Sequence, residues 1–157
     1  MTRLLRRHYG DGGYAIVDAA AGSSPASRAL ESYFAGATTA LDGVHVATSG
    51  SDFQRRVWRE LRAIPAGTTI SYAELARRIG QPSAVRAVGL ANGQNPVGIV
   101  VPCHRVIGSD GSLTGYGGGI ARKRWLLTHE GALSAVREGA LFEASPPRGP
   151  SEIARPR

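Results

Sequence analysis

The sequence predicts an α+β protein whose C-terminal part is mostly helical, and three observations carry that expectation. Between residues 51 and 132, apolar residues recur at helical spacing in segments opened by Ser or closed by Gly and Pro. Two of these segments are short and joined by Gly80-Gln81-Pro82, the pattern of a helix-turn-helix. Downstream of that pair, an apolar run bracketed by Pro96 and Pro102 delivers the single cysteine, Cys103, directly into His104 and Arg105. Residues 51–132 are therefore expected to form the functional domain. Residues 1–50 are expected to form a separate N-terminal region, and 133–157 a tail that is disordered toward its end.

Taken in order, residues 1 to 24 offer only Tyr14-Ala15-Ile16-Val17 as a short strand. Ser24-Pro25 is an N-cap followed by Pro at the first helical position. Ala29, Leu30, Tyr33 and Phe34 give that helix an apolar face, and Gly36 stops it. Val44-His45-Val46 alternates like a brief strand, with His45 as a solvated residue. Ser51 or Asp52 caps a helix that turns Phe53, Val57, Leu61 and Ile64 inward and presents Arg55, Arg56, Arg59 and Arg62 as a solvated face. Pro65 and Gly67 end it. Ser71 and Glu74 form a capping box for a helix with Tyr72, Leu75, Ala76 and Ile79 on its apolar stripe.

The next helix runs from Ser83 to about Ala91, with Val85 and Val88 inward and Arg86 on another face. Asn92 to Pro96 reads as a turn. Because Pro96 and Pro102 fix their own φ and bias their predecessors away from helix, Val97 to Val101 is expected to be short, extended and stiff. Gly108 to Ser112 is a hairpin turn, and Thr114 to Gly119 is a glycine-rich loop whose backbone can approach a ligand closely. It lacks a Walker lysine, which excludes nucleotide phosphate binding of that kind. A last helix spans Ile120 to Glu130, with Trp125, Leu126 and Leu127 inward and Arg122, Lys123 and Arg124 outward.

A chain of 157 residues holds one domain or two small ones sharing a core. Its formal charge of +7 suits a polyanion, although charge alone serves a merely soluble basic surface equally well. One cysteine cannot form an internal disulfide, and no membrane span or apolar signal core is visible, so a cytoplasmic protein is expected. With no cysteine before Cys103, and His8 and His45 as weak ligands, no metal site is expected.

A lone cysteine is usually a small buried apolar residue. A rigid arm ending in Pro-Cys-His instead suits a thiol held at the floor of a pocket, with His104 and Arg105 beside Cys103 to lower its pKa or take its proton. The run from Asn95 to Val106, with Pro102-Cys103-His104-Arg105-Val106 at its centre, resembles the active-site signature of the O6-alkylguanine-DNA alkyltransferases. The resemblance extends from about Ser51 to Gly131, roughly half the chain.

That resemblance implies single-turnover repair of double-stranded DNA, in which an alkyl group passes from O6-alkylguanine, or from O4-alkylthymine, to Cys103. It implies a network of Cys103, a bridging water, His104 and Glu130. Tyr72 would donate a hydrogen bond to the base, the carbonyls of Cys103 and Val106 would read its amino group, and the loop carrying Tyr116 and Gly117 would close one wall. Arg86 would fill the gap left by the extruded nucleotide, in keeping with the need to unstack a base before attacking it. Asn95 would tie the turn to the active-site segment. The protein would act as a monomer without cofactor, metal or membrane. The short N-terminal region departs from the family pattern, as does Gly117 where serine is common. The competing reading is a protein that binds alkylated DNA and flags it without chemistry; Cys103, which such proteins replace, argues against it.

Overall fold

Ser24 and Ser51 each start a helix by the same device in the computed structural model, which describes residues 22–133 and also Arg6, Gly10 and Ala20. The Ser24 hydroxyl accepts from the Ser27 amide while Ser27 returns the bond to the cap, opening α1 (Pro25–Phe34). Ser51 and Gln54 repeat the exchange for α2 (Asp52–Arg62). Such caps satisfy amides that the helix leaves without partners. The strand expected at Tyr14–Val17 and the tail expected to be disordered toward its end, past Leu133, lie outside the described residues.

Of the apolar face expected on α1, Tyr33 is fully buried, but Phe34 is 48% exposed. The segment 44–46 is not a strand, because no neighbouring strand pairs with it among the described residues. Arg62 holds it instead: the guanidinium donates to the carbonyls of Asp42 at 2.8 Å, Val44 at 3.0 Å and Val100 at 3.1 Å. Arg62 is thus a clamp and not part of a solvated face. Arg55, Arg56 and Arg59 are exposed.

β1 (Ile70–Ser71) leads straight into α3 (Tyr72–Arg78), which Ser71 caps by accepting from the Glu74 amide. The expected capping box is half formed, since the Glu74 carboxylate pairs with Arg77 and Arg78. A turn at 79–84 then gives α4 (Val85–Gly93), so α3 and α4 are the helix-turn-helix. α4 starts two residues after Ser83 and runs past Ala91, taking Asn92 and Gly93 out of the expected turn.

Residues 97–101 are not extended. Asn95 captures both ends of the segment, accepting from the Val97 amide at 3.0 Å and donating to the Val101 carbonyl at 2.7 Å. The Val101 amide closes back on the Val97 carbonyl at 2.9 Å, and Ile99 sits at φ +72°. A β-branched residue in that region is strained by about 1–3 kcal/mol, so the loop is held by its surroundings. Pro102 ends it and starts one 3-10 turn, Cys103–Arg105.

β2 (Val106–Ile107) follows and pairs in parallel with β1, Ile70 opposite Val106. The turn at 108–112 forms, with the Gly108 amide on the Ser112 carbonyl, but the strand before it is committed to β1 and no hairpin results.

α5 (Ile120–His129) corrects another expectation. Lys123, Leu126 and Leu127 face inward, whereas Trp125 is 52% exposed. Positions 123, 126, 127 and 130 follow the i, i+3, i+4, i+7 rule, which a Trp at 125 breaks. The main core joins Val57, Trp58, Leu61, Leu75, Val88 and Val101 around Cys103. Each such side chain contributes roughly 1.5–3 kcal/mol by leaving water. A smaller cluster packs Tyr33 and Leu41 on Leu126. Among the described residues, no helix is long and apolar enough to cross a membrane, and no cluster of three metal-ligating side chains occurs.

Candidate active site

The core that surrounds Cys103 also sets its chemistry. The residue is 7% exposed, and burial pushes its thiol pKa up, because a thiolate loses more hydration than a thiol on entering an apolar setting. Three interactions oppose that shift: a hydrogen bond from the Asn95 side chain, the positive charge of Lys123 and a hydrogen bond from the backbone of Cys103 itself. The 3-10 turn directs His104 Nε2 and the Arg105 guanidinium to Glu130, which commits Arg105 to the carboxylate and leaves His104 Nδ1 as the nitrogen that can serve the thiol.

Glu130 caps α5, where the helix dipole would disfavour an isolated carboxylate. Its Oε1 accepts from His104 Nε2 at 3.0 Å, Arg105 Nη2 at 2.8 Å and the Tyr33 hydroxyl at 2.8 Å, and its Oε2 accepts from Arg105 Nε at 2.9 Å. Burial alone would raise the carboxyl pKa, but the bonds from His104 and Arg105 outweigh it and hold it at about 2. The carboxylate is therefore ionised, so His104 Nε2 carries the proton and Nδ1 is the acceptor. Nδ1 is buried without a hydrogen-bond partner. Burial also lowers the His104 pKa, and Glu130 partly restores it, which keeps the ring neutral at rest.

The arrangement is a buried thiol next in sequence to a neutral imidazole whose free nitrogen can take a proton, backed by a permanent anion. Such a set suits nucleophilic attack by sulfur.

Lys123 is the functional side chain that sequence reasoning missed. Fully buried, it donates to the Val106 carbonyl at 2.6 Å and the Thr114 carbonyl at 2.7 Å. Burial drops its pKa to about 8. As the only lysine among nineteen basic residues, at a helix position that periodicity turns inward, it carried a signal that could have been read.

The remaining sequence candidates divide into two groups. The Tyr72 hydroxyl lies 3.3 Å from the Thr114 carbonyl, and burial raises its pKa. Tyr116 is half-buried with its ring 6.4 Å from that of His104, and burial pushes its hydroxyl to about 12. The Val106 carbonyl is already engaged by Lys123. Arg86 and Gly117 are exposed and stand apart from the buried network.

Comparison with known proteins matches residues 52–132 to the family model described as 6-O-methylguanine DNA methyltransferase, DNA binding domain. A methylated-DNA--protein-cysteine methyltransferase of Salmonella typhimurium is 53% identical over 135 residues, covering 85% of this chain and 77% of the relative. A crystal structure of Mycobacterium tuberculosis OGT in complex with DNA superimposes with a TM-score of 0.63 at 58% identity, covering 68% of this chain and 65% of that one. The O6-methylguanine-DNA methyltransferase of the archaeon Pyrococcus kodakaraensis gives 0.62 at 29% identity, covering 83% of this chain and 76% of its own.

Proposed function

We propose that the chain, a member of the 6-O-methylguanine DNA methyltransferase family, repairs DNA by moving an alkyl group from O6 of a damaged guanine onto Cys103. The observation that carries this reading is the buried set of Cys103, His104 and Glu130, in which one carboxylate is held ionised at about 2 behind a neutral imidazole. The Cys103 proton passes to His104 Nδ1, through a bridging water as in the family, and Glu130 stabilises the imidazolium. The sulfur then attacks the alkyl carbon in line. The S–C bond forms, the C–O6 bond breaks, and its electron pair leaves with the guanine, which takes up a proton. Tyr72 donates to the base, and the loop with Tyr116 and Gly117 walls the pocket.

Incubation with a duplex containing O6-methylguanine, followed by intact mass measurement, tests this directly. One methyl group on Cys103 is the expected result. Binding without any mass gain would instead favour a protein that flags lesions. Double-stranded DNA is the partner, engaged by α3 and α4, with the chain acting as a monomer.

Lys123 enters the same scheme. Its ammonium favours the thiolate and holds two carbonyls beside the base. Transfer should quicken with pH as the thiol ionises, then slow above about 8 as Lys123 loses its proton. Lys123→Met should lower the rate on the order of tenfold and remove the alkaline decline. Single-turnover rates across pH for both proteins check it.

Arg86 is exposed on α4, free to enter DNA and occupy the place of an extruded nucleotide. Arg86→Ala should slow repair of duplex O6-methylguanine about tenfold while leaving reaction with the free base O6-benzylguanine within about twofold, because only the duplex requires flipping. Equal losses on both substrates would remove Arg86 from that role.

A further inference from the structure

We propose that Tyr33 is a positioning residue of the active site, its hydroxyl fixing the Glu130 carboxylate against His104, an inference that rests on the alkyl-transfer reading above. Tyr33 belongs to α1, upstream of residues 52–132 that match the family model. It is fully buried, and its hydroxyl donates at 2.8 Å to Glu130 Oε1, the oxygen that also takes His104 Nε2.

The geometry gives this bond a task that the others do not perform. Arg105 grips Glu130 side-on through Nε and Nη2, which fixes the plane of the carboxylate but draws Oε1 toward the guanidinium as well as toward His104. Tyr33 and His104 both hold Oε1. With the hydroxyl removed, His104 alone balances the pull of Arg105 on Oε1. Tyr33 adds a donor without adding charge, and by sharing Oε1 it tempers the pull of the carboxylate on the imidazole while fixing where that oxygen lies.

The placement of Tyr33 is itself fixed. His129 Nε2 donates to its backbone carbonyl at 2.7 Å, and its ring meets that of His129 edge-on at 5.0 Å. The surrounding cluster, Leu41 and Leu126, needs only a ring there, and phenylalanine would fill it equally well. The hydroxyl is what the core does not require. The ionisable groups that face it are Glu130, Arg105 and, farther off, Tyr116, with His129 against the ring.

A merely structural hydroxyl would use Glu130 for its own satisfaction and leave the chemistry unaffected. The two roles separate in a double-mutant cycle. Single-turnover transfer from the O6-methylguanine duplex is measured for the unaltered chain, Tyr33→Phe, Glu130→Gln and the double variant, each across pH, with rates referred to the folded fraction found by thermal melting. Tyr33→Phe should slow transfer on the order of tenfold. Its acid limb should move to higher pH, because a carboxylate short of one donor is more basic and favours the imidazolium more. Added to Glu130→Gln, the Tyr33 change should cost clearly less than it does alone, because the amide keeps an oxygen for the hydroxyl but no longer carries the charge to be positioned.

An unchanged rate and acid limb in Tyr33→Phe would overturn the inference, as would losses that multiply fully in the double variant. Tyr33→Leu supplies a second hydroxyl deletion, read by the same criteria, should phenylalanine not be tolerated. Absence of transfer by the unaltered chain would overturn the alkyl-transfer reading itself. Normal transfer by that chain with an indifferent Tyr33→Phe would overturn this inference alone.

Discussion

Serine in place of Cys103 is expected to abolish alkyl transfer, lowering the rate by at least about a thousandfold, while binding to the damaged duplex stays within about twofold. The two side chains differ by one atom, so the packing around a residue 7% exposed is nearly preserved. What changes is ionisation. A free thiol has a pKa of about 8.5, within reach of a neutral histidine, and sulfur is an intrinsically strong nucleophile toward saturated carbon. A serine hydroxyl is far less acidic, and the same burial that raises the thiol would raise it too.

The unaltered protein should consume one equivalent of excess alkylated duplex and stop. The thioether formed is not hydrolysed by water, and the chain has a single cysteine, so no second thiol can resolve it. Intact mass spectrometry against a lesion titration gives both answers. Sustained turnover, or an alkyl group on another residue, would refute the one-way mechanism.

Glutamine at 130 is expected to slow transfer between about tenfold and a thousandfold. It would keep an oxygen for Tyr33 and Arg105 but lose the charge that stabilises the imidazolium. It would also strand a cation: Arg105 is buried, and among the described residues its guanidinium has only the Ile64 carbonyl as another partner, at 2.6 Å. Breaking a buried pair by neutralising one member typically costs about 3–5 kcal/mol, so a lower melting temperature should accompany the slower rate.

The sign of the pH effect follows from the direction of the Glu130 shift. Its folded pKa, about 2, lies below the ordinary carboxylate value of 4.5, so its contribution to stability is complete above that value and is lost as pH falls toward 2. Glu130→Gln should flatten this part of the acid denaturation curve. An unchanged transfer rate with an unchanged curve would return Glu130 to the status of a helix-end residue.

Much of the helical framework was legible because capping and periodicity are local. Ser24, Ser51 and Ser71 start their helices where their neighbours suggest, and Val57, Leu61, Leu75 and Val88 are buried at the expected spacing. The failures lie where distant groups decide. Residues 97–101 look extended when only the flanking prolines are weighed, yet the Asn95 side chain closes them into a loop. Lys123 looks like a solvated cation until the carbonyls of Val106 and Thr114 are found at its tip. Arg62 likewise finds carbonyls from 18 to 38 residues away. Tyr33 reads as one member of an apolar helix face because nothing within α1 points to a carboxylate 97 residues downstream.

That separation also bears on how the molecule comes into being. Glu130 is gripped by Tyr33 from the first described helix and by His104 and Arg105 from the middle of the chain, so it is a contact of high sequence separation that assembles after local structure. During synthesis from the N-terminus, Cys103 leaves the ribosome before Glu130, the residue that in the proposed mechanism stabilises the imidazolium of His104. Until α5 docks, the nascent thiol has neither the carboxylate behind His104 nor the ammonium of Lys123, and it remains an ordinary, slow cysteine. A protein with one irreversible reaction to perform thereby acquires its reactivity last, when folding has already enclosed the sulfur.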